Sequence, residues 1–231
     1  MYISYPRLGQ QLSTQCKSLL PVASSARFTK RYQSSTTTEA STEERLFSRL
    51  DICVGKIVDI RRHEEADSLY IEQIDCGEGR LRTIVSGLVP FFSESRLSQQ
   101  KVIVLMNLKP SKLRGVTSEG MLLCASSKRS NAKASTNAPD SETTVSTVSV
   151  ELLQPPSDAQ PGDRITYAER PPNLADTPPP TIKIKTFQEA AKLFSISTDG
   201  SHRALFNGKP WRVAGRDGDI SCQSIAGGTI S

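Results

Sequence analysis

The chain has 231 residues, with 29 lysines and arginines against 24 acidic residues, which gives a formal net charge of +5. This length can hold one large domain or two small ones with a real hydrophobic core. The basic excess is compatible with a nucleic-acid partner, although ordinary proteins reach the same charge. The five cysteines form no CxxC pair and there are only two histidines, so neither a metal site nor a cofactor is expected. No apolar run approaches the roughly 18 to 20 residues that span a bilayer, which argues against a membrane partner.

The first part of the chain has the composition of a targeting signal. Residues 1–38 contain five basic residues and no acidic one, and serine and threonine are frequent. This composition is typical of a mitochondrial transit peptide. Lys17 and Pro21 interrupt the apolar stretch that a secretory signal needs. We therefore expect residues 1–40 to be a transit peptide, cleaved or disordered, and the protein to lie in the mitochondrial matrix; a disordered tail on a cytoplasmic protein is the alternative.

The next part of the chain alternates in the manner of short β-strands. Residues 42–50 predict a short helix, and alternating apolar positions then predict strands around Ile52–Ile60, Leu69–Cys76 and Leu81–Val85. The alternation of the second segment changes phase, which indicates a β-bulge near Glu72 and Gln73. Two further apolar segments follow, at 101–106 and 119–125. About five short strands in so little chain predict an all-β fold, a five-stranded OB-fold Greek-key barrel.

Composition also predicts the domain limits. We expect the barrel at residues 45–168, with a polar, mobile insertion at 126–149 that cannot bury enough apolar surface to become ordered. A final strand pair is expected from residues 150–153 and 164–167, followed by a stiff Pro-rich linker. Residues 169–231 then form a small α+β extension packed on the barrel. It contains one amphipathic helix near Phe187 and a hairpin whose turn is Asn207-Gly208.

The segment from Asn107 to Ala125 is the most informative for function. Three basic residues, Lys109, Lys112 and Arg114, lie close together, and glycines follow at positions 115 and 120. Basic side chains beside glycine let a phosphate backbone come close, and Asn107 and Ser118 can add hydrogen bonds. Taken alone, the same run could equally be a solvated charged turn.

This segment also resembles the signature of the tRNA-binding domain family. The resemblance extends to residues 48–57, 63–70, 82–88 and 161–165, and it is to the long form of the family, represented by endothelial monocyte-activating polypeptide II and the C-terminal modules of synthetase cofactors. It implies an OB-fold that holds the outer corner of tRNA by shape and backbone. It also implies an RNA-binding set that matches the family motif position by position: Asn107, Lys109, Lys112, Arg114, Ser118 and Met121, with the preceding Ser86 and Gly87.

The resemblance implies a binding protein rather than an enzyme. We expect a non-catalytic, mitochondrial tRNA-binding cofactor for aminoacylation or tRNA handling, with tRNA and an aminoacyl-tRNA synthetase as partners. The alternative is a structural, protein-interaction subunit of a synthetase or ribosome-associated complex. The extension resembles an element that imitates a dimer partner, which predicts a monomer with Phe206 and Trp211 in an internal seam. Four arginines, at positions 61, 62, 80 and 82, either widen the basic surface or are simply solvated.

Overall fold

A computed structural model of the protein describes residues 42–131, 145–167 and 178–231. The predicted transit peptide and most of the Pro-rich linker lie outside the described residues. The all-β class is confirmed. A short helix, α1 (Thr42–Ser48), leads into the strands, as predicted, and buries Phe47. The elements of the first half are β1 (Ile52–His63), β2 (Ala66–Asp75), β3 (Leu81–Ser86), α2 (Glu94–Leu97), β4 (Lys101–Leu105), β5 (Ser111–Leu113), β6 (Val116–Ser118) and β7 (Met121–Asn131).

Five of these strands form a curved antiparallel sheet in the order β3-β2-β1-β4-β7. The two ends of the sheet meet, because the backbone N–H of Glu119 donates to the carbonyl of Thr83 at 2.9 Å and the N–H of Val85 donates to the hydroxyl of Ser118 at 3.0 Å. Among the described residues these bonds, rather than a continuous ladder, join β3 to the start of β7. The arrangement is that of a partly open five-stranded OB barrel.

The bulge lies in β1 and not in β2. Ile57 pairs with Ile74 and Asp59 pairs with Gln73, so that Val58 is the extra, unpaired residue. The prediction near Glu72 was wrong because it treated Glu72 as solvent-facing. Glu72 is instead fully buried and faces inward with Tyr70 and Ile74, while Ile71 is buried on the opposite face of β2.

The predicted mobile insertion is partly a β-ladder. Strand β8 (Val145–Leu152) pairs with β7 along its whole length, from Cys124 opposite Leu152 to Asn131 opposite Val145. The loop prediction was therefore wrong for residues 126–131 and 145–149, while residues 132–144 lie outside the described residues. The polar composition gave the wrong prediction because residues such as Thr and Val suit a β-ribbon at the protein surface, and the β7–β8 ribbon gains its order from backbone pairing.

The C-terminal extension shares a core with the barrel. Its elements are α3 (Ile184–Ala191), β10 (Phe194–Ile196), β11 (Ala204–Phe206), β12 (Lys209–Val213) and β13 (Thr229–Ile230), and its sheet also includes β9 (Ile165–Tyr167) from the predicted barrel range. They build a four-stranded sheet in the order β10-β11-β12-β9, and β13 pairs with β7. The predicted pairing of residues 150–153 with 164–167 was wrong, because β8 pairs with β7 and β9 pairs with β12. The Asn207-Gly208 turn is confirmed, with φ of 47° and 76° at its two residues.

An aromatic cluster joins the extension to the approach to the barrel. Trp211 is fully buried, with its ring centroid 4.8 Å from that of Phe194 and 5.9 Å from that of Phe47. Phe206 is also buried, 4.9 Å from Phe47. The predicted internal position of Trp211 and Phe206 is therefore confirmed; the monomeric state stays a prediction. None of the helices in the described ranges is long and apolar enough to cross a membrane.

The cysteines within the described ranges are core residues. Cys53, Cys76, Cys124 and Cys222 are buried free thiols. Burial raises the pKa of Cys124 to about 12, which keeps this thiol protonated and unreactive at neutral pH. In the described part of the chain, no three His, Cys, Asp or Glu side chains converge as metal ligands would.

Candidate nucleic-acid interface

The basic residues of the predicted site lie on a small hairpin that projects from the barrel. Strands β5 and β6 pair with Lys112 opposite Thr117, and the turn between them is Arg114-Gly115. Both turn residues have positive φ, 45° and 90°, which is the backbone of a type I′ turn and explains the glycine at the second position. We call residues 107–118, the hairpin with the loop that precedes it, the basic segment.

The three cations of the basic segment are free to meet a ligand. Lys109, Lys112 and Arg114 are all exposed. Among the described residues none of them forms a salt bridge with a carboxylate. Ammonium and guanidinium groups are donors only, and they carry positive charge throughout the neutral range. The segment therefore presents three unneutralised cations on a short, hydrogen-bonded support.

Asn107 fixes the start of the basic segment. It is buried, and its side-chain oxygen accepts a hydrogen bond from the backbone N–H of Asp51 at 3.0 Å. Its amide nitrogen donates to the carbonyls of Arg49 and Pro180, at 2.8 and 2.9 Å. One side chain thus ties together the chain before β1, the end of β4 and the extension. This geometry assigns Asn107 to positioning the segment.

The other predicted site residues also divide into exposed and internal positions. The hydroxyl of Ser118 is buried and donates to the carbonyl of Gly120 at 3.0 Å, and that of buried Ser86 donates to the carboxylate of Glu72. Met121 is half-buried and packs on the core, whereas Gly87 is exposed. Exposure therefore favours direct contact for Gly87 and the three cations, and support for the rest; the RNA-binding role of all eight stays a prediction.

The extension supports the basic segment from outside the barrel. The backbone N–H of Lys109 donates to the carbonyl of Ile182 at 2.9 Å, and the N–H of Ile182 donates to the carbonyl of Asn107 at 2.8 Å. Leu108 and Ile182 thereby form a short parallel bridge. Nothing in the local sequence indicates this contact, since the two partners are more than seventy residues apart.

The arginines at positions 61, 62, 80 and 82 all pair with carboxylates, and three of these pairs lie on the exposed surface. Arg61 pairs with Glu64 at 3.5 Å and Arg62 with Glu94 at 3.8 Å. Arg80 contacts Glu119 at 3.2 Å. These exposed pairs are weak, but they reduce the positive charge available to a ligand at these positions.

Arg82 has a different role, because it joins the two ends of the basic segment. Its Nη1 donates to the carbonyl of Met106 at 2.9 Å and to the carbonyl of Glu119 at 2.8 Å. Its Nε and Nη2 donate to Glu78 at 2.6 and 2.8 Å, and these bonds lower the pKa of Glu78. The alternation of β3 gives a signal for this role, since Arg82 lies on the same face as fully buried Ile84.

We expect Arg82→Lys to weaken tRNA binding by about 5- to 10-fold without changing its salt dependence. Lysine keeps the charge but cannot bridge two carbonyls while forming a planar pair with Glu78. The measurement is a filter-binding titration at several salt concentrations. Arg80→Lys, on an exposed neighbour, is the matched control and should stay within about twofold. A nearly unchanged affinity for Arg82→Lys would show that this residue is only a point charge.

Glu72 is a buried acid beside Ser86, at the inner side of β2 and β3. It is fully buried, and within the described part of the chain its Oε2 has no hydrogen-bond partner. Burial raises the pKa of Glu72 from 4.5 to about 7, against the opposing effect of the hydrogen bond from Ser86. Between these two values the folded state holds the proton and the unfolded state releases it, so this group makes the fold less stable as pH rises from about 5 to 8.

Glu72→Gln should remove this loss of stability. The variant is expected to exceed the wild type in free energy of unfolding by on the order of 2 kcal/mol at pH 8 and by much less at pH 5. Urea unfolding at a series of pH values gives the comparison, and the difference between the two proteins cancels the other titrating groups. A difference that is independent of pH would contradict a protonated Glu72.

Comparison with known proteins places this geometry in a family. The family described as "Putative tRNA binding domain" matches residues 52–164, which include β1 to β7 and the whole basic segment. The chain belongs to the tRNA-binding domain family. The match contains the barrel strands, the exposed cations and the positioning residues Arg82, Asn107 and Ser118, whereas Ile182 of the extension lies outside it.

Several curated proteins are similar over most of the chain. The cytoplasmic tyrosine–tRNA ligase of Gallus gallus is 40% identical over 187 residues, which cover 80% of this chain and 31% of the ligase. The aminoacyl tRNA synthase complex-interacting multifunctional protein 1 of Mus musculus is 36% identical over 185 residues, covering 79% of this chain and 51% of that protein. The chain thus spans about a third to a half of the length of these relatives.

A solved structure supports the fold beyond the family match. The C-terminal domain of Plasmodium vivax p43 superimposes with a TM-score of 0.63 at 28% identity, and it covers 80% of this chain and 98% of that domain. The likeness therefore extends past residue 164 into the extension, in agreement with the shared core described above.

Proposed function

We propose that this protein is a non-catalytic tRNA-binding module that holds the tRNA backbone near its elbow. The observation that carries the proposal is the basic segment: three exposed cations, without a salt bridge among the described residues, on a hairpin and the loop before it, within the region that matches the tRNA-binding domain family. Cationic donors spaced along a hairpin suit phosphate oxygens and do not distinguish one base from another. The grip is therefore expected to depend on backbone shape, as is usual for structured RNA.

The chemistry of the segment supports binding rather than catalysis. Lysine and arginine neutralise phosphates and release counterions, which makes affinity fall steeply with salt. The polar side chains beside the cations form their hydrogen bonds inside the protein. Those of Asn107, Ser118 and Arg82 donate to backbone carbonyls of the chain that carries the cations or of the segments next to it. Rigid support of this kind lowers the entropy lost on binding.

Binding of the purified full chain to unfractionated tRNA tests the proposal. We expect saturable binding of labelled tRNA. Unlabelled tRNA should displace it, whereas double-stranded DNA of equal charge should displace it poorly. The log of the binding constant should fall linearly with the log of the salt concentration. Binding that DNA and tRNA displace equally would show a general polyanion site and contradict the tRNA assignment.

We further propose that the protein acts in mitochondria, as a cofactor that brings tRNA to an aminoacyl-tRNA synthetase. The acid-free, basic composition of residues 1–38 supports the location, and the similarity to proteins named for synthetases or a synthetase complex supports the partner. A fusion of residues 1–40 to a fluorescent reporter should enter mitochondria. Diffuse cytosolic fluorescence would refute the targeting role.

A further inference from the structure

A groove beside α2 has no residue of the basic segment in its lining. It lies between the segment Phe91–Arg96 and the strand β8, and it encloses about 460 Å³. We call it the β8 groove. A separate cavity of about 280 Å³ shares Phe91 and Val150 with it but is lined by Ser86, Gly87 and Met121 of the predicted RNA-binding set, and it is not part of the β8 groove.

The edge of β8 that lines this groove is unpaired. Strand β7 is the one partner of β8 among the described strands. The backbone N–H and carbonyl of Cys124 bond to Ser231, so they point away from Leu152, the residue opposite Cys124 on β8. Pairs alternate along an antiparallel ladder, and Val150 and Val148 therefore also direct their N–H and carbonyl groups away from β7. At Val150 these groups face the groove.

The opposite wall offers an aromatic surface and one free cation. Phe91 is 37% exposed, although it is a large apolar side chain. The guanidinium of Arg96 lies 5.6 Å from the ring centroid of Phe92, and within the described ranges Arg96 forms no salt bridge. The one carboxylate in the lining, that of Glu151, already accepts hydrogen bonds from the backbone of Ser224 and Ile225.

We propose that the β8 groove binds an extended acidic peptide of a partner protein, which adds a strand to β8. An unpaired strand edge supplies backbone donors and acceptors in the spacing of a peptide and not of a nucleic acid. The apolar surfaces of Phe91 and Val150 receive an apolar side chain, and Arg96 receives a carboxylate. A phosphodiester chain would meet one cation and the Glu151 carboxylate, which does not favour RNA. The lining of the β8 groove contains none of the eight predicted RNA-binding residues, so we expect both ligands to bind together.

A peptide library tests this proposal on the full chain. Random dodecapeptides displayed on phage are selected on the immobilised protein with excess tRNA present, and the selected peptides are synthesised and titrated by fluorescence anisotropy. We expect enrichment of alternating, extended sequences in which an acidic residue lies near an apolar one. Variants with the three cations of the basic segment removed should bind these peptides as well as the wild type does.

Two proline variants form a matched pair for the strand edge. Val150→Pro removes an outward N–H inside the groove, and Val148→Pro removes an outward N–H beyond its lining; neither N–H bonds to β7. We expect peptide binding at least about 10-fold weaker for Val150→Pro and within about twofold for Val148→Pro. Equal effects of the two would refute strand addition. Thermal unfolding of each variant shows whether the edge tolerates proline.

Two surface variants keep the test valid if proline disturbs the strand. Phe91→Ser and Arg96→Gln each change one exposed side chain, and each should weaken peptide binding about 5-fold, the second only for peptides that contain the acidic residue. Failure to enrich any peptide would overturn the proposal. Two other results would also contradict it. If Phe91→Ser and Arg96→Gln weakened the binding of oligouridine, a single-stranded RNA probe, and not that of peptides, the groove would be an RNA site. If peptides bound only after residues 132–144 were deleted, the groove would belong to the chain's own segment.

Discussion

Replacing Lys109, Lys112 and Arg114 together by alanine is expected to weaken tRNA binding by about 100-fold at moderate salt. All three side chains are exposed and lie on or next to one hairpin, so each can neutralise a phosphate of the same RNA surface. The salt dependence provides the second readout. Each phosphate contact contributes roughly 0.7 to 0.9 to the slope of log affinity against log salt, and the slope should therefore fall by about 2.

A control of equal charge separates a local contact from general attraction. Arg45, Lys185 and Lys192 are exposed on or beside the helices α1 and α3, and their replacement by alanine removes the same charge. We expect this control to lose less than about threefold in affinity. Equal losses in the two triple variants would mean that net charge, and not the basic segment, binds the RNA. A uniform loss across different tRNA species is also expected, since phosphate contacts do not read sequence.

Asn107→Ala is expected to lower the free energy of unfolding by about 3 kcal/mol and to weaken tRNA binding. The substitution removes three hydrogen bonds and leaves the N–H of Asp51 and the carbonyls of Arg49 and Pro180 without their partner. The basic segment then loses these side-chain bonds to the barrel entrance and the extension and keeps its backbone bridge to Ile182. Urea unfolding of the full chain measures the stability, and filter binding under native conditions measures the affinity.

Two further variants sharpen the Asn107 result. Asn107→Asp has the same shape but places a carboxylate oxygen against two carbonyls, so it should be about as destabilising as alanine. Thr181→Ala changes an exposed residue of the adjacent extension segment and should stay within about 0.5 kcal/mol of the wild type. If Asn107→Ala were stable but still bound tRNA poorly, Asn107 would contact RNA directly, against the geometry described here.

The strand pattern could be predicted from the sequence where each strand has one buried face. The alternation around Ile52–Ile60 and Leu81–Val85 predicts β1 and β3, and Asn207-Gly208 predicts its hairpin correctly. The pattern does not predict the burial of Glu72, because a division of residues into apolar and polar treats a buried acid like an exposed one. It also fails at β8, where backbone pairing orders a polar ribbon that composition predicts to be mobile.

The candidate site, too, could be predicted from the sequence only in part. The motif brings together the cations and glycines that do lie on one hairpin, because they are close in sequence. It cannot separate Lys112, which is exposed, from Asn107 and Ser118, which are buried and bonded internally. The support from Arg82 and Ile182 depends on contacts across the fold, and such contacts leave little trace in a local pattern.

Protection of lysines from acylation, in the presence and absence of tRNA, tests the central claim most directly. It uses the wild-type protein, labels exposed amines with an N-hydroxysuccinimide ester, and quantifies each site by mass spectrometry. At saturating tRNA, Lys109 and Lys112 should lose most of their reactivity, while Lys185 and Lys192 on the extension should react as in the free protein. Unchanged reactivity of Lys109 and Lys112 in a saturated complex would contradict a tRNA grip through the basic segment.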